Sequence, residues 1–206
     1  MKRRTSRILF AAAVAAMALL APVGSANAGI LSQSASACPD YEISPVFSKW
    51  LDPFHYTLAP GGHFESNSNL TFTGGAKIVP GNETSYVRSK ADGNSVLLPR
   101  GATVTTGAVC VGLDKPTVRF FAKRSGFALL PLLSVEGVYK TKAGRTASLP
   151  LIGVPLAGNS WSLQLPFVTT GALLELGDQT MMQFRIRAVS GDWQIDDFYV
   201  DPWRRY

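Results

Sequence analysis

The stretch Met182-Gln183-Phe184-Arg185-Ile186-Arg187-Ala188 decides the fold class. Met182, Phe184, Ile186 and Ala188 alternate with Gln183, Arg185 and Arg187. A period of two is the signature of a β-strand with one buried face and one wet, here basic, face. Outward from it the same rhythm recurs. Trp161, Leu163 and Leu165 fall on one face of a segment. Residues 70–72, 86–87, 96–98, 104–110, 118–122, 135–139 and 146–152 read as further strands, and so does the closing stretch 193–200. Turn signals punctuate them at short intervals, among them Pro60-Gly61-Gly62, Pro80-Gly81-Asn82, Asp92-Gly93-Asn94 and Ser190-Gly191-Asp192. Residues 170–177 fit a short helix or a loop. Helical periodicity and a βαβ rhythm are both missing from this part of the chain, so the expected fold is all-β, a two-sheet antiparallel β-sandwich or a barrel.

The beginning of the chain reads differently. Lys2, Arg3, Arg4 and Arg7 precede an uncharged run from Ile8 to Ala21, and small residues follow as far as Ala26-Asn27-Ala28. That is the layout of a secretory signal peptide over residues 1–28, and the apolar run is too short for a membrane-spanning helix. The expected product is secreted, with no transmembrane helix after cleavage. Residues 29–37 are small and polar and read as a flexible leader, leaving 38–206 as a single β-sandwich domain. Export also changes the charge argument. The whole chain is +6; its first 28 residues hold four bases and no acid, so without them +2 remains. Most of the basic excess belongs to the leader, and nucleic acid is not an expected partner.

The chain has two cysteines, Cys38 and Cys110. Outside a reducing compartment, and with no CxxC or Cys–His cluster nearby, a disulfide between them is the expected state; free thiols or a metal site are the alternatives. It would close a loop of about 70 residues and contribute roughly 4 kcal/mol in the chain-entropy model.

The chain closes on Trp193-Gln194-Ile195-Asp196-Asp197-Phe198-Tyr199-Val200-Asp201-Pro202. This resembles the last strand of galactose-binding-like jelly rolls, in particular carbohydrate-binding modules of families 4 and 9. Gly61-Gly62-His63-Phe64-Glu65 is similar to the segment that opens those modules, and Ser95-Val96-Leu97-Leu98 and residues 117–124 resemble two of their strands. The layout is also similar to that of a group of uncharacterised secreted bacterial proteins. The resemblance implies a jelly roll over about residues 55–202 and a structural Ca²⁺ near the Phe-Glu segment and the closing aspartates. Strict alternation puts Asp196 on one face of the closing strand and Asp197 on the other, so whichever face is inward carries a carboxylate. Such a group needs a cation or several donors. Glu65, Asp196 and Asp197 are therefore the candidate metal ligands. A salt bridge to an arginine such as Arg119, or exposure at the strand end, is the alternative.

Catalytic signatures are missing. His55 and His63 stand eight apart in no metal-binding pattern, there is no Gly-x-Ser-x-Gly elbow, and no phosphate-binding loop is present. Two adjacent acids in one strand do not form a glycosidase pair. Catalytic and cofactor-binding residues are accordingly none. A sugar-binding surface needs an accessible aromatic ring beside polar groups. Trp50, Tyr86 and Trp203 lie in polar, loop-like sequence and are the candidate ligand platform; Phe120, Trp161 and Phe184 read as core. The expected function is a secreted, non-catalytic module binding a polysaccharide or cell-envelope component. The alternatives are a structural or protein-interaction module of the cell surface, and a hydrolase with a dispersed active site.

Overall fold

A computed structural model describes residues 38–112, 117–141, 143–152, 155–156, 158–169 and 179–202. The signal peptide and leader expected before residue 38, the segment 170–178 and Trp203 lie outside them.

The described residues form thirteen strands, all paired antiparallel: β1 (Thr57–Leu58), β2 (Thr71–Thr73), β3 (Lys77–Pro80), β4 (Asn94–Leu98), β5 (Thr103–Thr105), β6 (Val109–Gly112), β7 (Thr117–Arg124), β8 (Leu132–Lys140), β9 (Thr146–Ile152), β10 (Ser162–Leu163), β11 (Phe167–Thr169), β12 (Gln179–Ser190) and β13 (Trp193–Val200). They run in the order β2-β5-β12-β8-β9-β11-β7-β13-β4-β3, with β6 beside β12, β10 beside β7 and β1 beside β13. The ladder turns back on itself at β9 and β11, which gives two facing layers, the expected sandwich.

Burial drives that closure. Met182, Phe184, Ile186 and Ala188 of β12, with Leu133 and Val135 of β8, are buried against Phe120 and Ala122 of β7 and Ile195, Phe198 and Val200 of β13. Phe198 stacks on Phe120 at 5.4 Å and lies 5.6 Å from Phe184, so one ring ties the two layers together. As the alternation of 182–188 requires, Gln183 and Arg187 are exposed on the opposite face. Arg185 there reaches Glu136 of β8 at 3.4 Å.

The disulfide joins Cys38 to Cys110 on β6, with the Cα atoms 5.8 Å apart. Beside it the Cys110 N–H donates to the Tyr41 hydroxyl at 2.7 Å. These two links carry the segment before β1 to the sandwich.

Four local expectations change. Residues 104–110 do not form one strand: Thr106 and Gly107 break away between β5 and β6, where the Thr106 hydroxyl accepts the Phe184 N–H at 3.1 Å. Tyr86-Val87 lies in a turn rather than a strand, with Tyr86 at a left-handed φ of 48°. Trp161 is half-buried at the edge of an outer aromatic cluster rather than in the core between the sheets, under the Lys123 ammonium at 4.7 Å, and Leu165 is exposed, because β10 ends at Leu163. The closing strand does not alternate strictly. A register shift between Asp196 and Tyr199, with Asp197 at φ 49°, turns Ile195 and Phe198 toward the same core. A bulge of this kind inserts an extra residue, and aspartate tolerates the left-handed region better than most side chains.

Candidate ligand-binding site

The segment before β1 lies across the outer side of β7 and β13. Its Ser44 and Tyr56 pair by two main-chain hydrogen bonds of 3.0 and 2.9 Å, which closes residues 44–56 into a loop. Within it, a short 3₁₀ turn at Ser48–Trp50 ends on Leu51 in the left-handed region at φ 61°. Phe47 is the anchor. Fully buried, it meets Tyr56 at 5.2 Å and Tyr199 at 5.4 Å edge-on, and Phe121 packs in the same cluster. This is a second apolar core, separate from the one between the sheets. Trp50 leans on its edge, 5.5 Å from Phe121 and 6.1 Å from Phe47.

Asp52 is buried beside this cluster and fully engaged. One carboxylate oxygen accepts the Phe54 N–H at 3.1 Å; the other accepts the Tyr56 hydroxyl at 2.9 Å and pairs with the Arg119 guanidinium. Arg119 Nε donates to the Gln164 carbonyl at 3.2 Å, and its guanidinium lies over the Phe47 ring at 5.3 Å. Burial, followed by the Asp52 hydrogen bond, pushes the Tyr56 hydroxyl well above the usual tyrosine range, so it stays a donor. The closing aspartates thus do not receive Arg119, which is taken by Asp52.

Above this network opens a pocket of about 540 Å³, lined by Trp50, Phe54, Tyr56, Arg119, Val168 and Asp201 among others. It combines what a sugar-sized ligand requires: apolar and aromatic walls and a floor of fixed polar groups. Of the three platform candidates, Trp50 lines this pocket. Tyr86 is exposed in the turn at 82–88, whose Val87 packs on the outer aromatic cluster.

The three acids expected to share a metal do not converge. Glu65 clamps the Asp92-Gly93-Asn94 turn, accepting the Gly93 and Asn94 N–H groups at 3.0 Å each and Asn94 Nδ2 at 2.7 Å. Its own N–H donates to His63 Nδ1 at 2.9 Å, and burial, then Arg88, lowers the His63 pKa. Asp196 accepts the Glu83 N–H at 2.8 Å and the Asp197 N–H at 2.9 Å. Glu83 in turn accepts the Val87 N–H at 2.6 Å and also the Ser85 N–H. The buried acids therefore staple the 82–88 turn to the bulge of β13. Asp197 differs: it is fully buried, its carboxylate oxygens make no hydrogen bond of good geometry among the described residues, and the Arg88 main-chain N–H is the donor directed at it. Burial and the neighbouring Asp197 charge raise the Asp196 carboxyl to about 9. Burial, Glu83 and Asp92 raise Asp197 to about 7, against the opposing influence of Arg88. Among the described residues no group of three or more His, Cys, Asp or Glu side chains is placed to hold a metal ion. The expected calcium set of Glu65, Asp196 and Asp197 does not fit that ion.

The two segments that carried the resemblance do meet. Phe64 is buried in the main core, the Phe198 N–H donates to the Gly62 carbonyl at 2.9 Å, and the Ala59 N–H donates to the Phe198 carbonyl at 3.0 Å. A Cβ on Gly62 would stand 2.6 Å from that Phe198 carbonyl oxygen, so this close approach requires glycine.

Sequence reasoning missed Asp52, Tyr56 and Arg119 as a unit. Arg119 lies 67 residues from Asp52, and no local spacing reports such a pair.

No family model matches the chain, and no curated protein matches it in sequence. Among solved structures it is similar to the CBM22-1 xylan-binding domain of Paenibacillus barcinonensis Xyn10C, with 12% identity and a TM-score of 0.48 over 70% of this chain and 94% of that one. It is also similar to the family 11 carbohydrate-binding module of Clostridium thermocellum Lic26A-Cel5E, with 12% identity and a TM-score of 0.40 over 74% and 98%. A third is the bacteriophage CBA120 tailspike protein 4 domain, with 17% identity and a TM-score of 0.39 over 69% and 20%. The carbohydrate-binding modules named here belong to families 22 and 11 rather than to 4 and 9. All three similarities are distant, and the architecture described above rests on this chain's own strand pairings.

Proposed function

We propose that the protein is an exported, non-catalytic β-sandwich module that binds a neutral glycan segment in the pocket beside Trp50. The observation that carries this reading is the pairing of aromatic and apolar walls, Trp50, Phe54 and Val168, with the polar floor of Asp52, Tyr56 and Arg119. Sugar rings present apolar C–H faces and a rim of hydroxyls, which such a pocket complements. Asp52 is paired with Arg119 and Asp201 adds an acid to the lining, so the pocket holds no excess positive charge to attract an acidic sugar. The same network supports a binding role over a hydrolytic one: both Asp52 oxygens are already occupied by the Phe54 N–H, the Tyr56 hydroxyl and Arg119, which leaves neither free to act on a substrate. In this reading residues 1–28 are the export signal, 29–37 a leader, and 38–206 one domain.

The test is a panel of neutral and acidic polysaccharides in affinity electrophoresis, run on the protein and on Trp50→Ala. Retardation by a neutral glycan, lost in the variant, is expected. Absence of retardation by every glycan, or equal retardation of the variant, would sink the proposal.

A further inference from the structure

Large apolar side chains stand in solvent at one end of the sandwich. In the β7–β8 connection Phe127 is 93% exposed, Leu129 86% and Leu130 78%, and Leu132 follows at 48%. Scattered exposed apolar residues are ordinary, but four within six positions form a patch of the kind that marks an interaction site.

Neighbouring turns hold this connection in place. The Arg124 N–H donates to the Gly158 carbonyl at 2.7 Å, and the Ser125 N–H donates to the Asp192 carbonyl at 2.9 Å. Gly191 lies so close that a Cβ there would meet the Ala128 Cβ at 2.8 Å.

The surroundings are cationic. Arg124, at the base of the tip, lines a cleft of about 360 Å³ with Ser125, Phe127 and Asn159. Its Nε is buried with no acceptor among the described residues, a donor still lacking its partner. Arg100 is exposed on the adjoining turn, where its main-chain N–H donates to an Asp192 carboxylate oxygen at 2.8 Å. That bond engages one oxygen of the acid placed among these turns, while the Arg100 guanidinium makes no ion pair among the described residues.

We infer that this end of the molecule docks on a membrane carrying anionic lipids. Phe127, Leu129 and Leu130 enter the interface, and Arg124 and Arg100 meet the headgroup charge. An apolar tip flanked by two arginines, against one aspartate, is complementary to a surface that is apolar beneath and negative at its face. A neutral glycan would use the apolar residues but not the charges. The geometry also gives the docking a use. Thr117, at the far end of β7, borders the Trp50 pocket, whereas Arg124 ends the strand at the tip. Eight strand residues separate the two ends by about 20 Å, so a docked molecule holds its pocket away from the bilayer.

Vesicle co-sedimentation tests this. The protein is expected to bind phosphatidylcholine vesicles containing phosphatidylglycerol about tenfold more tightly than phosphatidylcholine alone, and less tightly as salt rises. The variant Phe127→Ser/Leu129→Ser/Leu130→Ser is expected to lose binding to both vesicles with its melting temperature unchanged. Arg100→Gln, on an exposed side chain, is expected to lower only the phosphatidylglycerol-dependent part. The inference is overturned if the protein does not sediment with either vesicle, or if the triple variant binds as the parent does. It is equally overturned if sedimentation velocity shows that the tip instead joins two copies of this chain, with no vesicle binding. Loss of glycan binding would leave these outcomes untouched, since the pocket shares no residue with the tip.

Discussion

Two buried carboxylates in this molecule meet opposite fates. Asp52 lies under the Trp50 pocket with a guanidinium, a tyrosine hydroxyl and a main-chain N–H all directed at it. Asp197, in the bulge of the closing strand, is equally shut off from water, pairs with no cation, and has only the Arg88 main-chain N–H directed at it, without a hydrogen bond of good geometry. The first site is a charge pair and the second a proton trap. A carboxylate with a cation stays ionised at the cost of desolvating both charges. A carboxylate without one holds its proton to a higher pH, because ionising it in an apolar place is costly. The difference gives the two regions different construction: the first is a rigid polar floor beneath the Trp50 pocket, the second a structural join between the 82–88 turn and β13.

The largest test of this contrast removes the cation. Arg119→Ala leaves Asp52 buried without its cation, and urea unfolding is expected to show a loss of about 3–5 kcal/mol. A loss below about 1 kcal/mol would mean that water already reaches the pair.

At the second site the sign is reversed. Unfolded aspartate titrates near 3.8, whereas Asp197 and Asp196 in the fold are raised to about 7 and about 9. Between those limits the folded state binds more protons than the unfolded chain. Stability from this pair is therefore full below about pH 4 and is lost as the pH rises through 7 toward 9. The melting temperature, corrected for other groups by comparison with Asp197→Asn, is expected to fall over that window. The variant itself, neutral and well suited to a left-handed φ, is expected to gain about 1–3 kcal/mol at pH 8 and to flatten the profile. A parent whose stability instead rises from pH 5 to pH 8, with a destabilised variant, would show that Asp197 is an ionised, partnered group.

Smaller effects sharpen the pocket. Trp50→Ala is expected to weaken glycan binding by about tenfold, and Tyr86→Ala, outside the pocket, by less than about twofold. Calcium should do least. With Glu65 and Asp196 already accepting main-chain N–H groups, added Ca²⁺ or a chelator is expected to leave the melting temperature unchanged. A rise of several degrees with Ca²⁺ would return Asp197 to a cation.

The sandwich was legible in the sequence because burial on one face of a strand writes itself into alternate residues, as in 182–188. The bulge was not. Alternation through Ile195, Asp197 and Tyr199 looks regular until a single left-handed residue shifts the phase, and aspartate gives no warning of that. Trp50 could be picked out as an aromatic in polar sequence. Its floor could not, since Asp52 and Arg119 come from segments that meet only in the fold. The apolar tip was hidden for a different reason: Phe127-Ala128-Leu129-Leu130 has the composition of a core segment, and composition does not say which side of a turn faces water.

Tryptophan indole NMR, during titration with a neutral oligosaccharide retained in the affinity panel, tests for a glycan site at Trp50. Trp193 is an internal control, fully buried with its Nε1–H on the Ser190 carbonyl at 3.0 Å, and Trp161 is a second one under Lys123. A saturable shift of the Trp50 indole is expected, with the Trp161 and Trp193 signals unmoved. A saturable shift at Trp161 with Trp50 unmoved, or no shift at any indole, would contradict it.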